Sequence, residues 1–309
     1  MSLKIYRIKF TSGLGTMLGS VVYNFHKHIP GVKTKKGLSY VQNGTLSQRL
    51  DIHFPADANC IYNKPEKRKK TYPTIIWYHG GGWACYSKTV YVTLSRRLAK
   101  MGFIVFTCNY RLAPKAKLAS IMEDAHAAFD YVLKTGDSFG ADTSNIVFCG
   151  DSAGAHISAE LALDLKTSDP EAFGKLKGLG LFYGVYDLET VKKSGFPHIE
   201  TYVDACVSGG KDNLFELEKY SPIKSDCAGL PPVFLASGEI DKLHKSQSLA
   251  FSKKLEEAGV TVKTKFYPKK ELRAMHAYIN FDGLYTNVDS LKAFENFLHN
   301  DLNLKGEDA

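Results

Sequence analysis

A serine flanked by glycines stands where an apolar run gives way to a helical pattern. Residues 145–154 read NIVFCGDSAG, which places Ser152 in a GxSxG pentapeptide between Gly150 and Gly154. In this context the serine occupies a strained turn between a strand and a helix, and the glycines let the backbone approach closely. The start of the helix adds positive potential where an oxyanion would form. The pattern predicts a nucleophile at Ser152; the alternative is an ordinary glycine-rich turn.

A second glycine-rich segment, TIIWYHGGGW, follows another apolar run. Backbone N–H groups of such a loop can approach a substrate oxygen with no side chain in the way. We expect Gly81 and Gly82 to donate to an oxyanion, with Gly80 shaping the turn and Ala153, after the serine, adding a third donor. His79 opens this loop and precedes the serine, so we expect it to form structural hydrogen bonds.

A serine nucleophile needs a base, and the base needs an acid that orients it. In an α/β-hydrolase these follow the serine in the order acid, then histidine. His276 fits the base because it lies in a loop after the last strand candidate. The other histidines after the serine lie at positions that suit a catalytic base less well; they are His156, His198, His244 and His299.

The acid has more than one candidate. The apolar run PPVFLAS leads into a loop that contains both Glu239 and Asp241, while Asp187 follows another apolar run. Each could also be a solvated loop carboxylate. The residues by themselves therefore leave the choice of acid open.

The elements that must position these residues alternate between strands and helices. The strand candidates are mostly continuous apolar runs, as in strands covered on both faces, and this alternation implies a mostly parallel sheet between helices. They lie at 46–54, 74–78, 103–109, 146–150, 178–183, 232–237 and 260–267. Apolar side chains recur at helical spacing in five stripes. These are Val90/Leu94/Leu98, Met122/Ala125/Phe129/Val132, Ile157/Leu161/Leu165, Phe251/Leu255/Ala258 and Leu291/Phe294/Leu298. Residues 1–45, which show no strand signal, and residues 185–225 do not fit the alternation.

Composition narrows the classes of function. The 309 residues are 44% hydrophobic and 23% charged, as expected of a globular protein. The six cysteines form no CxxC pair, which argues against zinc and redox motifs and favours a reducing cytoplasm. With no apolar run of about 18 residues, we expect a soluble protein without membrane insertion. No metal or cofactor motif is present.

The charge balance raises the question of an anionic partner. The formal net charge is +8. No basic helix, aromatic-interleaved basic strand or zinc module accompanies it, so we do not expect a nucleic-acid partner. Part of the excess flanks the proposed acid and base. We hypothesise that these side chains favour esters that bear an anionic group; they are Lys242, Lys245, Lys269, Lys270 and Arg273.

Over roughly residues 45–300 the chain resembles the hormone-sensitive-lipase-like branch of the α/β-hydrolases, the bacterial carboxylesterases with HGGG and GDSAG motifs. Further matches in family order are YRLAP at 110–114, SP at 221–222, GLPP at 229–232 and AGV at 258–260. The resemblance implies an α/β-hydrolase fold with a mostly parallel sheet of about eight strands, flanking helices and a small helical cap. It also implies a catalytic domain at 46–309, with the cap built from residues 1–45 and an insertion at about 185–225.

The family's functional residues carry over by position. Its nucleophile, acid and base fall on Ser152, Asp241 and His276, and its oxyanion hole falls on the loop of Gly80, Gly81 and Gly82 with Ala153. The chain departs from the family where Lys242 follows the acid in place of proline, and HAY replaces the common HGF at the histidine. The acid is thus the position at which the match is weakest.

These features predict a serine carboxylesterase that acts on short to medium acyl esters without a cofactor. Deacetylation of a sugar or another small ester is the alternative within enzymes. A ligand-binding protein on the same fold is the alternative outside them, although receptors of that kind have lost the histidine that stands here at His276. The implied partner is a small ester, and the resemblance leaves a homodimer open.

Overall fold

The computed structural model describes Ile5 and residues 29–210, 212–281 and 289–308. Nine strands form its sheet. They are β1 (Val32–Ser39), β2 (Arg49–Pro55), β3 (Lys70–Tyr78), β4 (Ile104–Cys108), β5 (Ala141–Asp151), β6 (Leu176–Phe182), β7 (Val233–Gly238), β8 (Val262–Tyr267) and β9 (Glu307–Asp308). The order across the sheet is β1-β2-β4-β3-β5-β6-β7-β8, and β9 pairs with the beginning of β3.

Strands β4, β3, β5, β6, β7 and β8 run parallel to one another in that order. Strand β2 is antiparallel to both β1 and β4, and β9 is antiparallel to β3. The α-helices are α1 (Val92–Lys100), α2 (Leu118–Thr135), α3 (Ala153–Ser168), α4 (Pro170–Phe173), α5 (Ile199–Cys206), α6 (Leu214–Lys219), α7 (Leu249–Glu257) and α8 (Ser290–Asn296). Short 3-10 helices cover Leu46–Gln48, Pro65–Lys67, Lys88–Tyr91, Gly136–Phe139, Thr190–Lys193, Pro222–Lys224 and Tyr278–Phe281. Single π-helical turns cover His244–Ser248 and Phe297–Asp301.

The sheet separates two cores because successive side chains of a strand point to opposite faces. On β3, Ile76 and Tyr78 pack in the core that contains α2, α3 and α7. Ile75 and Trp77 pack on the other face with α1 and α8. Both faces of the central strands are therefore apolar, as the continuous apolar runs predicted, and the expected mostly parallel sheet between helices is confirmed.

Seven strands coincide with the strand candidates, and two do not. Strand β1 lies within residues 1–45, where the sequence shows no strand signal. It is rich in lysine and only partly buried, so neither apolar alternation nor an apolar run marks it. Lysines on an edge strand of this kind discourage pairing with another chain. The rest of the expected N-terminal cap segment lies mostly outside the described residues.

The segment between β6 and β7 contains the irregular stretch at 185–225. Here the chain forms the 3-10 helix Thr190–Lys193, helices α5 and α6, and the 3-10 helix Pro222–Lys224. Across the part of the chain that the structure describes, no helix combines the length and hydropathy needed to cross a membrane. All six cysteines are buried, and none of them forms a disulfide in the described part of the chain.

Candidate active site

The predicted site residues lie on loops that leave neighbouring parallel strands. The glycine loop at 80–82 follows β3, Ser152 follows β5, Asp241 follows β7 and His276 lies in the loop after β8. Because the carboxyl ends of parallel strands meet at one edge of a sheet, these loops converge there. The topology thus brings together residues that are up to 196 positions apart.

Ser152 is held in a strained backbone conformation. Its φ is 50° and its ψ is −118°, a combination that is costly for a residue with a side chain. Its N–H donates to the carbonyl of Phe182 at 2.9 Å, and helix α3 begins at the next residue. The turn therefore presents the hydroxyl of Ser152 above the sheet edge, as the GxSxG context predicted.

Two glycines make this turn possible by allowing backbone to pass backbone. A Cβ on Gly154 would collide with the carbonyl oxygen of Tyr78 at the end of β3. A Cβ on Gly150 would collide with the backbone of Gly154 itself. The glycine spacing in GxSxG is therefore required by close approach of β3, β5 and the beginning of α3.

A chain of hydrogen bonds connects the serine, the histidine and one acid. Nε2 of His276 is 3.0 Å from Oγ of Ser152, and Nδ1 of the same ring is 2.7 Å from Oδ2 of Asp241. The Asp241 side chain is almost fully buried, and its Oδ1 accepts the N–H of Leu243 at 2.9 Å. With Nδ1 protonated and donating to Asp241, Nε2 is free to accept the serine proton.

The other acid candidates have different partners. Oε2 of Glu239 accepts the backbone N–H of Lys269 at 3.0 Å. Oδ1 of Asp187 accepts the N–H groups of Glu189 and Thr190 at the start of a 3-10 helix. The structure brings Asp241, and neither of the other two, into contact with His276.

The other histidines after the serine have hydrogen bonds of their own. Nδ1 of His156 accepts the indole N–H of Trp83 at 3.2 Å, and its Nε2 donates to the carbonyl of Tyr220 at 2.8 Å. Burial lowers the pKa of His156 to about 4, so the ring is neutral as these two bonds require. His244 is bonded to Ser237, and His299 to the carbonyl of Leu304. His198 begins α5 in a left-handed conformation.

The glycine loop after β3 turns through two residues with positive φ. Gly81 has φ 113° and Gly82 has φ 57°, and a Cβ on Gly82 would lie 2.7 Å from the ring of Tyr202. Among the described residues, no acceptor is found for the N–H of Gly81, Gly82 or Ala153. Donors without an internal partner beside the serine are what an oxyanion hole needs.

Gly80 uses its N–H differently. That group donates to Oδ1 of Asp151 at 3.0 Å and to the hydroxyl of Tyr91 at 2.9 Å. It is therefore engaged inside the protein, which leaves Gly80 the turn-shaping role and not that of an oxyanion donor. His79 is structural in the same sense: its Nδ1 donates to the carbonyl of Gly80 at 2.7 Å, and burial lowers its pKa to about 4.

Asp151 is a site residue whose role sequence reasoning missed, although it lies inside the GDSAG motif. It is 2% exposed, and its two oxygens accept from Gly80 and from the hydroxyl of Tyr183. Burial raises the pKa of Asp151 to about 6, and hydrogen bonds and the nearby His276 oppose that rise. This carboxyl ties the serine turn to the glycine loop.

A cavity of about 130 Å³ opens beside Ser152. Aromatic residues restrict it: Tyr202 of α5 lies against Gly82, and the ring centroid of Phe196 is 4.6 Å from that of His276. Both aromatic residues come from the irregular segment between β6 and β7. Their position could not be read from the sequence because that segment has neither strand nor long-helix periodicity.

The basic residues that flank the proposed acid and base in the sequence differ in whether they have a carboxylate partner. The lysines at 242, 245, 269 and 270 are exposed, whereas Arg273 forms a two-pronged ion pair with Glu271, with N–O distances of 2.7 Å. Arg273 is thereby neutralised locally. The expected preference for anionic esters stays a prediction that depends on the lysines.

Comparison with known proteins identifies the class to which this site belongs. The protein family whose description is 'alpha/beta hydrolase fold' matches residues 75–279 of this chain. The chain belongs to this family, as the motifs predicted.

Curated relatives of the chain bear the names of ester hydrolases. It is 28% identical over 219 residues to carboxylesterase NlhH of Mycobacterium tuberculosis, covering 68% of this chain and 67% of that protein. It is 27% identical over 228 residues to an acetyl esterase of Salmonella dublin, covering 70% and 68%. A probable isoprenylcysteine alpha-carbonyl methylesterase of Oryza sativa is 28% identical over 240 residues, 72% of this chain. The chain spans about half (54%) of the length of that rice protein.

Solved structures share the fold. Esterase B from Lactobacillus rhamnosis aligns with a TM-score of 0.76 at 22% identity, covering 94% of this chain and 96% of that one. An esterase from Pyrobaculum calidifontis aligns with a TM-score of 0.75 at 22% identity, covering 96% and 93%. The expectation of an esterase-type enzyme agrees with the names of the curated relatives.

The close approach at Gly154 yields a prediction about stability. Gly154→Ala would force apart β3 and α3, so we expect a loss of at least about 2 kcal/mol in the free energy of unfolding. Gly174→Ala is the matched control, because a Cβ there would meet nothing closer than 3.4 Å. Denaturant unfolding of both variants measures the difference. Equal stability of the two would contradict the packing described for the serine turn.

Proposed function

We propose that this protein is a serine carboxylesterase that hydrolyses short to medium acyl esters through an acyl-enzyme. The observation that carries the proposal is the pair of hydrogen bonds from His276, at 3.0 Å to Ser152 and 2.7 Å to Asp241. Such a chain supplies a nucleophile, a base and an orienting acid in the geometry that acyl transfer requires. The names of the curated relatives support the same class of reaction.

In the proposed mechanism Oγ of Ser152 attacks the ester carbonyl while Nε2 of His276 accepts its proton. The negative charge of buried Asp241 stabilises the imidazolium that forms. The proton then passes to the leaving alcohol, and the acyl group stays on Ser152 as an ester. Water then attacks the acyl-enzyme ester while His276 accepts its proton. His276 passes this proton to Oγ of Ser152 as the bond to the acyl group breaks, and the carboxylic acid is released.

The oxyanion of each tetrahedral intermediate would bind to the N–H groups of Gly81, Gly82 and Ala153. Each donor of this kind contributes about 2 to 4 kcal/mol when it is aligned with the developing charge. The beginning of α3 adds positive potential at the same place. Gly80 supports this arrangement indirectly, because its bonds to Asp151 and Tyr91 hold the loop against the serine turn.

The segment at 185–225 would act as part of a cap that limits the acyl group, together with the part of residues 1–45 that precedes β1. The support is the position of Phe196 and Tyr202, which close a cavity of about 130 Å³ over the serine. A cavity of this size suits acyl groups of a few carbon atoms. This favours acetyl to butyryl esters and keeps the deacetylation of a small acetylated molecule as the second candidate.

The nucleophile can be tested directly. The purified protein should hydrolyse p-nitrophenyl acetate and butyrate, and Ser152→Ala should lower kcat/KM at least about a thousandfold, because no other group can form the acyl-enzyme. Covalent labelling of Ser152 by an organophosphate separates a live enzyme from a ligand-binding protein on the same fold. An unchanged kcat/KM for ester hydrolysis in Ser152→Ala would contradict the proposal.

The choice of acid yields a second prediction. Asp241→Asn should lower kcat by about 10³ to 10⁴, because an amide cannot hold the histidine in the required tautomer. Glu239→Gln is the matched control in the same loop and should leave kcat within a few fold, since Glu239 bonds only to the backbone of Lys269 among the described residues. Reversed effects in the two variants would transfer the acid's role to Glu239.

Tyr202 yields a prediction about chain length. Tyr202→Ala removes the ring that lies against Gly82, so the ratio of kcat/KM for hexanoyl to acetyl ester should rise at least about tenfold, as expected when a pocket gains room for methylenes. Phe215→Ala is the control within the same segment, because its side chain is exposed on α6 and lies outside the cavity lining. A ratio that moves equally in both variants would show that Tyr202 does not limit the acyl group.

A further inference from the structure

A groove of about 870 Å³ lies between α2 and α3, away from the serine. The two helices are joined there by a contact of 2.7 Å between Nε2 of His126 and Oδ2 of Asp164. The chain after α6 forms another wall through Tyr220 and Asp226. The groove is rich in carboxylates although the chain as a whole carries a net charge of +8.

Glu160 lines this groove in an unusual state. Only 7% of the residue is exposed, and its Oε1 has no hydrogen-bond partner among the described residues. A buried polar atom without a partner costs about 1 to 3 kcal/mol, and more when it carries charge. Native proteins leave few such atoms, and each one needs an explanation. The proposed catalysis does not use Glu160.

Three of the other acids that line the groove have partners, which distinguishes them from Glu160. Asp164 pairs with His126, and Asp226 pairs with Lys166 at 3.1 Å. Glu123 pairs with Arg111, whose guanidinium lies 2.9 Å away. Of the basic groups that line the groove, His126 and Lys166 contact these acids, and Lys219 lies over the ring of Tyr220. None of the ion pairs found among the described residues includes Glu160.

The surroundings of Glu160 suit a positively charged organic group. Glu160 and Tyr220 both line the groove, so the carboxyl and the phenol ring belong to one binding surface. The ammonium of Lys219 is already 5.0 Å from the centroid of that ring, which shows that the ring accepts a cation at its face. Apolar side chains of Met122 and Leu163 add walls that suit an alkyl chain.

We propose that the groove between α2 and α3 binds an alkylammonium ion, with Glu160 as the buried carboxylate that pairs with it. The ammonium supplies the hydrogen bonds that Oε1 lacks, and the alkyl chain lies against Met122 and Leu163. The site is separate from the serine and does not depend on the esterase proposal. The ammonium can belong to a free amine or to a lysine side chain of another protein.

Binding should be coupled to a proton. Burial, reinforced by the charge of Asp164, raises the pKa of Glu160 to about 8, so the empty site holds a neutral acid near neutral pH. A bound ammonium favours the carboxylate and expels that proton. The other titratable or charged groups that face Glu160 or line its groove are Glu123, His126, Asp130, Asp164, Lys166, Lys219, Tyr220, Asp226 and Cys227.

Calorimetric titration of the full chain tests the proposal, with putrescine as the free amine and N-acetyl-lysine amide as the side-chain probe. Repeating it in two buffers of different ionisation enthalpy should show about one proton released per bound cation near pH 7. Glu160→Gln should abolish the proton release and weaken binding at least tenfold. Preference for one probe over the other identifies the source of the ammonium.

Glu171→Gln is the matched control, because Glu171 pairs with Lys175 in solvent outside the groove. It should bind both probes as the wild type does. Binding without proton release, binding that survives Glu160→Gln, or no binding of either probe would each overturn the proposal.

A stability measurement checks the same residue without a ligand. The folded chain holds the Glu160 proton more tightly than the unfolded chain, whose ordinary value is 4.5. Wild-type stability should therefore fall relative to Glu160→Gln as pH rises from about 5 to about 8. The melting temperatures of the two proteins across that range give the result. A constant difference would contradict a buried acid at this position.

Discussion

The strained turn at Ser152 is the constraint on which the rest of the site depends. A residue held at φ 50° and ψ −118° costs about 1 to 3 kcal/mol, so the surrounding structure must hold it there. The holding contacts are the bond from Ser152 to Phe182 and the approach of Gly154 to the carbonyl of Tyr78. The central strands β3, β5 and β6 thus meet at this one turn, which fixes where the hydroxyl lies relative to the neighbouring loops.

Asp151 connects the serine turn to the glycine loop and fixes the position of that loop. Its carboxyl accepts the N–H of Gly80, and the hydroxyl of Tyr91 accepts the same N–H. A loop of three glycines has little intrinsic rigidity, since glycine loses more conformational freedom on ordering than any other residue. Bonds at its first glycine leave the next two N–H groups beside Ser152. The loop's order therefore comes from a buried acid one residue before the proposed nucleophile.

The sequence predicted the sheet well because both faces of its central strands are buried. Continuous apolar runs mark most of the strands from β2 to β8, and glycine motifs mark the serine turn and the loop after β3. Strand β1 was missed because it is an edge strand with lysines and only partial burial. The acid could not be chosen from spacing, since Glu239 and Asp241 share a loop. Only the fold shows which of them reaches His276.

The cavity walls could not be predicted either, for a different reason. Tyr202 lies on the short helix α5 and Phe196 in the loop before it. The positions of both depend on packing against the catalytic loops and not on local periodicity. The motifs identify the positions at which acyl transfer needs a strained backbone or a close approach between two backbone segments. They do not identify the side chains that select a substrate.

The two buried acids near α3, Asp151 and Glu160, differ in the hydrogen-bond donors that surround them. Burial raises the pKa of both Asp151 and Glu160. Around Asp151, donors from Gly80 and Tyr183 and the nearby His276 oppose the rise and hold the value to about 6. Around Glu160 no donor opposes it, Asp164 adds to it, and the value reaches about 8. The donors to Asp151 come from the loops after β3 and β6. No donor reaches Oε1 of Glu160 among the described residues, which agrees with our proposal that its partner comes from outside the chain.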